Sequence, residues 1–199
     1  MSSAVEAAVT AIRAGGVVVI PTDTVYGLAA TADRPGGRDA LYALKGRPTT
    51  QPTALVAATV DALLGLVPEL ETNATRIRAL LPGPYTLVVA NPAHRFEWLC
   101  GENPAAIGVR VPDLAGLGAE LLSAVGAVAA TSANLPNGHE PRTLGEVPRE
   151  LREGAAAVVD GGELPGVAST VLDLTGETPR VLRAGAGSVD AALARLATP

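Results

Sequence analysis

Apolar runs, and the glycine, proline and hydroxyl residues that punctuate them, divide this chain into short elements. Residues 3–14 predict a helix, with serine at its start and Gly15-Gly16 ending it. Gly16 to Ile20 reads as a buried β-branched strand stopped by Pro21. Asp39 to Lys45 predicts a helix ending before Pro48, and Ala54 to Ala58 a strand. Helices are expected over Thr59 to Leu66 and Thr72 to Leu81, the second capped by Thr72 and closed by Pro82. The rigid turn Pro82-Gly83-Pro84 feeds a strand over Tyr85 to Val89, and another strand is expected over Ile107 to Val111. A helix over Asp113 to Val125 leads into a short strand within Val125 to Thr131. Arg142 to Glu153 is expected to be helical in part, with Pro148 tolerated only in a first turn. Strands over Ala156 to Asp160, Ser169 to Leu174 and Arg180 to Leu182 precede a closing helix over Ser188 to Leu196, capped by Ser188. Short apolar strands mixed with amphipathic helices predict an α/β fold with a mixed β-sheet flanked by helices.

Composition narrows the classes. At 199 residues the chain can bury a sizeable core, and it is read as one domain over residues 1–199. Hydrophobic residues make up 48% and charged residues 18%, and no apolar run approaches the roughly eighteen residues of a membrane span. No membrane association is expected. The N-terminus lacks the basic start and continuous apolar stretch of a secretory signal, which predicts a cytoplasmic location. The single cysteine, Cys100, agrees with a reducing compartment. A net charge of −5 argues against a protein that coats nucleic acid, so any bound anion must be held locally. The aromatic residues Tyr26, Tyr42, Tyr85, Phe96 and Trp98 are too scattered for a base-stacking platform.

Four polar phrases stand where predicted strands end or begin: Pro21-Thr22-Asp23-Thr24, Arg110-Val111-Pro112, Thr131-Ser132-Ala133-Asn134 and Ser169-Thr170. Any one of them could be a turn, since these residue types bond their own backbone. Together they could converge, because ligand crevices in open α/β sheets form at strand ends. Lys45 is the only lysine; the other basic residues are all arginine. A lysine offers a compact point charge suited to a phosphate, although it could equally be a surface residue.

Elimination limits the chemistry further. There is no Gly-x-x-x-x-Gly-Lys-Ser/Thr loop, no Gly-x-Ser-x-Gly elbow around Ser132, and no partner at ligand spacing for His94 or His139, so no metal site is expected. Gly185-Ala186-Gly187 is read as a turn. What remains is a cationic and hydroxyl-bearing set, Lys45, Arg47, Arg110, Arg183, Thr22, Thr24, Thr131, Ser132, Asn134 and Ser169, which suits polyanion binding and phosphoryl or nucleotidyl transfer.

The chain resembles the YrdC-like L-threonylcarbamoyladenylate synthases. The resemblance rests on eight phrases in that family's order: residues 21–28, Lys45-Gly46-Arg47-Pro48, residues 82–86, Val109-Arg110-Val111-Pro112, Thr131-Ser132-Ala133-Asn134, Asp160-Gly161-Gly162, Ser169-Thr170-Val171 and Leu182-Arg183-Ala184-Gly185. They span about residues 10–187. The resemblance implies a single-domain YrdC-like twisted mixed sheet with a concave ligand cleft, in the family's short form. It also implies a nucleotidyltransferase that makes threonylcarbamoyl-AMP and pyrophosphate from L-threonine, bicarbonate and ATP. Downstream proteins would then transfer the threonylcarbamoyl group to the adenosine beside the anticodon of tRNA.

The family's Lys/Arg/Ser/Asn tetrad would be Lys45, Arg47, Ser132 and Asn134 here. On that resemblance Lys45 and Arg47 are the catalytic candidates, and Lys45, Arg47, Ser132, Asn134 and Arg183 bind ATP. Thr24, Arg110, Thr131 and Ser169 line the threonine pocket, with Arg110 gripping the carboxylate bidentately. Mg²⁺ is expected to travel with ATP. The loop Leu135-Pro136-Asn137-Gly138-His139-Glu140-Pro141 departs from the family's usual Leu-Ser-Gly, and Gln51-Pro52-Thr53-Ala54 from a commoner Asn-Pro-Leu. The alternatives are a non-catalytic nucleotide- or RNA-binding relative of the same fold, able to touch tRNA weakly, and a domain of the kind fused in hydrogenase-maturation carbamoyltransferases. The absence of acylphosphatase-like and zinc-finger segments weighs against the latter.

Overall fold

A computed structural model describes residues 1–197. In chain order its strands are β1 (Val18–Ile20), β2 (Gly27–Thr31), β3 (Ala54–Ala57), β4 (Tyr85–Ala90), β5 (Ala106–Arg110), β6 (Ala127–Ser132), β7 (Ala157–Val158), β8 (Thr170–Asp173) and β9 (Arg180–Arg183). The helices are α1 (Ser3–Ala14), α2 (Pro35–Lys45), α3 (Val60–Leu66), α4 (Ala74–Leu80), α5 (Gly116–Val125), α6 (Arg149–Gly154) and α7 (Val189–Ala197), with three short 3₁₀ turns. All nine strands join one mixed sheet in the order β7-β1-β2-β6-β3-β5-β4-β8-β9.

The helix ends follow the sequence chemistry. Ser2 caps α1, its hydroxyl accepting from the Val5 N–H at 3.4 Å, and Gly15 ends it in the left-handed region. Thr59 caps α3, and Ser188 accepts from Ala191 N–H at the start of α7. Thr72 is not a cap: it lies inside the 3₁₀ turn Pro68–Asn73, where its hydroxyl donates to the Glu69 carbonyl. Asn73 holds the cap position of α4 without a side-chain bond. Helix α2 starts four residues before the expected Asp39, with Pro35 in its first turn and Gly37 lying so close to Thr31 that a Cβ would sit 2.0 Å from its carbonyl oxygen. Pro148 precedes the first turn of α6, where it costs no hydrogen bond.

Strand β2 is the element that apolar patterning misses. Gly27-Leu28-Ala29-Ala30-Thr31 contains few strand-favouring residues, yet it is buried on both faces between β1 and β6. Tertiary pairing, not local propensity, makes it a strand.

The two faces of the sheet are covered unequally. One face is fully packed: α2 and α6 cover Val19, Leu28 and Ala30, while α3, α4 and α7 cover Leu55, Leu87, Val89, Ile107, Val109 and Leu172. The other face carries α1 and α5, which cover Val18, Ile20, Ala29, Val56 and Val128. Among the described residues no helix covers that second face beyond β3. In β4 and β5 buried residues accordingly alternate with half-buried ones, with Thr86, Val88, Gly108 and Arg110 on the open side. The step from covered to uncovered sheet forms a concave recess.

Leu87, fully buried at the centre of the largest cluster, tests this packing. Leu87→Ala is expected to lower the unfolding free energy by about 2–5 kcal/mol, as measured by urea denaturation.

Candidate active site

The recess holds a cleft of about 930 Å³, counting its open mouth. Register delivers its floor: Val56 of β3 stands beside Arg110 of β5, and Thr86 of β4, Val171 of β8 and Arg183 of β9 continue across the sheet. Gly27 and Ser132 face each other across β2 and β6 on the same side. Arg47, Thr131, Ser169 and Glu140 complete the polar part of its wall.

Lys45 comes from the opposite side of the sheet. It is the last residue of α2, and Gly46, at φ 65°, turns the chain so that Arg47 N–H still bonds the Tyr42 carbonyl. Only 5% of Lys45 is exposed, which excludes the surface-residue alternative. Its Nζ donates to the Ser132 carbonyl at 2.5 Å, Thr131 Oγ1 at 3.1 Å and Asn134 Oδ1 at 3.3 Å, with Ser132 Oγ at 3.4 Å. Burial, aided by the neighbouring Arg47 charge and opposed by Glu140, pushes the ammonium down to about 8.

Arg47 lies over the Tyr42 ring, its guanidinium carbon 5.6 Å from the centroid. It donates to Thr131 Oγ1 at 3.1 Å and to the Pro52 carbonyl at 2.5 Å, while its buried Nε has no partner. Ser132 Oγ donates to Asn134 Oδ1 at 2.6 Å, and Asn134 Nδ2 holds the Gly138 carbonyl at 2.8 Å. The atypical loop is thus fastened to the same cluster.

Arg110 stands across the cleft floor. Its NH2 donates to Asp23 Oδ1 at 2.5 Å and Thr24 Oγ1 at 2.8 Å. Burial raises the Asp23 carboxyl above its ordinary value, with the Arg110 guanidinium opposing, and burial also lowers Arg110. Both bidentate edges of a guanidinium pass through NH2. The expected two-pronged grip on a carboxylate is therefore not offered in this arrangement.

The third group surrounds Ser169. Its hydroxyl pairs with Thr86 Oγ1 at 2.8 Å, and Arg183 donates to its carbonyl from Nε at 3.1 Å and NH2 at 2.9 Å. Glu140 accepts from the Ala168 N–H at 2.7 Å and lies 3.9 Å from Arg183 NH1. Gly185 is required here, because a Cβ would come within 2.2 Å of the Ala168 carbonyl oxygen.

The fold thus gathers every predicted site residue around one cleft. Arg47, Arg110, Thr131, Ser132, Ser169 and Arg183 line it, and Lys45, Asn134 and Thr24 are bonded to residues that do. Thr131, assigned to the threonine pocket, is shared by Lys45 and Arg47. Sequence reasoning gave no role to Asp23, Thr86, Glu140 or the Tyr26 hydroxyl, which donates to Asp160 Oδ1 at 2.8 Å and accepts from Gly161 N–H at 2.9 Å. Their partners lie 83 residues or more away in the chain for Asp23, Thr86 and Tyr26, beyond any local spacing signal.

A family model named Sua5_yciO_yrdC and described as "Telomere recombination" matches residues 10–185. The chain belongs to the Sua5/YciO/YrdC family. A Mycobacterium tuberculosis member provisionally named threonylcarbamoyl-AMP synthase is 39% identical over 192 residues, covering 95% of this chain and 87% of that one. The human threonylcarbamoyl-AMP synthase is 34% identical, covering 87% of this chain and 64% of the human one. Among solved structures, P. abyssi Sua5 complexed with L-threonine superposes with a TM-score of 0.78 at 31% identity. That alignment covers 91% of this chain, which spans about half, 54%, of the archaeal protein. The twisted mixed sheet with its flanking helices is thus the family's fold.

For this family member the unique lysine offers a direct test. With ¹³C-labelled lysine a single side-chain resonance is expected, titrating at about 8; a midpoint at the ordinary 10.5 would contradict the burial. Below pH 8 both folded and unfolded chains carry the proton and the cost of burying the charge is fully present. Between about 8 and 10.5 the unfolded chain binds more protons, so stability from this group rises with pH.

Proposed function

We propose that the chain is an L-threonylcarbamoyladenylate synthase, forming threonylcarbamoyl-AMP and pyrophosphate from L-threonine, bicarbonate and ATP. The observation that carries this reading is the meeting, in one cleft, of a cationic cluster, buried at Lys45 and half-buried at Arg47, with a separate arginine and hydroxyl group at Arg110, Thr24 and Ser169. The synthase names of its relatives, and the threonine bound to P. abyssi Sua5, support it.

Threonine's amine takes up bicarbonate as carbon dioxide to give a carbamate and water. A carbamate oxygen then attacks the α-phosphorus of ATP, the bond to the β-phosphate oxygen breaks, and pyrophosphate leaves. Such a step needs charge neutralisation and in-line positioning more than covalent help from the protein. Lys45 and Arg47 would meet the phosphates, with Arg183 released from Ser169 to join them. Ser132 and Asn134 hold the Lys45 ammonium in place and serve the nucleotide side. Arg110 would receive the threonine carboxylate, with the Thr24 and Ser169 hydroxyls beside it.

Among the described residues no group of three or more His, Cys, Asp or Glu side chains could hold a metal. Glu140 is the one carboxylate on the cleft wall, and one of its oxygens is bonded to Ala168. This donor set fits a Mg²⁺ that arrives on the nucleotide, held chiefly by phosphate oxygens, with Glu140 within the same wall. When bound, the ion would neutralise charge on the leaving pyrophosphate. No helix among the described residues is long and apolar enough to cross a membrane. The reading extends to a cytoplasmic enzyme that acts as one unit over residues 1–199 and hands its product to tRNA-modifying proteins. The non-catalytic RNA-binding alternative gains nothing from the site, and the net charge of −5 weighs against it.

Purified protein is expected to release pyrophosphate only when L-threonine, bicarbonate and ATP are all present. Release without threonine, or none with all three, contradicts the assignment. Lys45→Arg keeps the charge but not the shape that fits four acceptors, and should cut turnover roughly 10²-fold or more, on the scale of losing one positioned charge-stabilising donor. Turnover at the wild-type rate would remove Lys45 from the mechanism.

A further inference from the structure

Arg110 is held by a carboxylate to which the proposed reaction assigns no role. Asp23, in the turn after β1, accepts from Arg110 NH2 through Oδ1 at 2.5 Å and from the Asp113 backbone N–H through Oδ2 at 3.1 Å. Both side chains are withdrawn from water, 12% exposed for Arg110 and 8% for Asp23. The second hydrogen of NH2 goes to Thr24 Oγ1, and that hydroxyl is in turn 3.0 Å from Thr22 Oγ1, which donates to the Val25 carbonyl at 2.7 Å. Asp23 and the Thr22–Thr24 pair therefore fix one terminal nitrogen of Arg110 from two directions.

A guanidinium carries two N–H bonds on each terminal nitrogen and one on Nε, and both of its two-donor edges include NH2. With NH2 fully engaged, what remains is Nε, which is buried without a partner, and NH1, which has no protein hydrogen bond among the described residues. Arg110 lines the cleft, and NH1 is the terminal nitrogen it has left to offer.

From this geometry we infer that Asp23 is a positioning residue of the amino-acid subsite: it occupies NH2 of Arg110, fixes the plane of the guanidinium, and presents NH1 to the substrate carboxylate as a single donor. The inference rests on the reading of the cleft as threonine-binding. Asp23 touches Arg110 and the Asp113 backbone, so its effect on substrate passes through Arg110. Because the Asp23–Arg110 pair is close to neutral as a unit, the subsite selects its ligand by the direction of a donor more than by net charge.

Titration calorimetry of the full chain with L-threonine, and separately with ATP, tests this. Asp23→Ala is expected to weaken threonine binding roughly tenfold or more and to leave ATP binding within about twofold. Asp23→Asn keeps an acceptor oxygen for NH2 and should recover most of the loss. In an Arg110→Ala background, Asp23→Ala should have no further effect on threonine, because the residue it positions is gone. Threonine affinity unchanged or tightened in Asp23→Ala overturns the inference, as does a parallel loss of ATP binding, which would make the pair an element of the fold. Additive effects of Asp23→Ala and Arg110→Ala overturn it too. Wild-type protein that binds no threonine would instead overturn the assigned function, and this inference with it.

Discussion

The 2.5 Å bond from the Lys45 ammonium to the Ser132 carbonyl is the contact on which the proposed nucleotide side of the cleft depends. It ties the end of α2, on one side of the sheet, to the end of β6, whose Ser132 opens into the cleft on the other. Around it Thr131, Ser132 and Asn134 supply three further oxygens, more than an ammonium's three hydrogens can serve at once. Such an excess of acceptors keeps a desolvated ammonium in place and lets it turn toward an incoming anion without losing all of its partners. A buried cation held this way makes a local anion site in a chain whose net charge is −5. In the proposed reaction bulk attraction would not draw phosphate here; preorganised donors would hold it once it arrives.

The unequal covering of the sheet connects this cluster to Arg110. Helices α1 and α5 stop at β3, and strands β5, β4 and β8 continue with one face open. Side chains that would elsewhere be core become cleft floor, which is why Thr86 and Arg110 occupy positions that alternate with Leu87 and Val109. The backbone of a rigid sheet fixes the spacing between the proposed nucleotide and amino-acid subsites, and a reaction that joins the two substrates in line would benefit from that fixed spacing. Glu140 and Ala168, bonded to each other, line the same opening.

Much of this was legible in the chain because its punctuation is local. Ser2, Gly15, Thr59 and Ser188 mark helix ends by chemistry acting within four residues, and the helices they bound were expected there. Strand β2 was not legible, since alanine and glycine become strand there only through pairing on both sides. Thr72 misled for a related reason: a 3₁₀ turn from Pro68 placed its hydroxyl on a preceding carbonyl in place of a helix N-terminus. Of the cleft residues, those in the polar phrases were named from sequence, whereas Thr86 and Glu140 acquire meaning only through Ser169 and Ala168. The bidentate role expected of Arg110 assumed a free fork, and Asp23, two residues inside a named phrase, takes the nitrogen that fork requires.

The central claim is that one cleft holds a triphosphate at Lys45 and Arg47 and an amino-acid carboxylate at Arg110. A crystal structure of the protein soaked with a non-hydrolysable ATP analogue and L-threonine tests it most directly. The account predicts phosphate oxygens against Lys45 Nζ and Arg47, with the threonine carboxylate on Arg110 and its amine directed toward the α-phosphorus. Phosphates bound away from Lys45, or threonine seated without contact to Arg110, would contradict it.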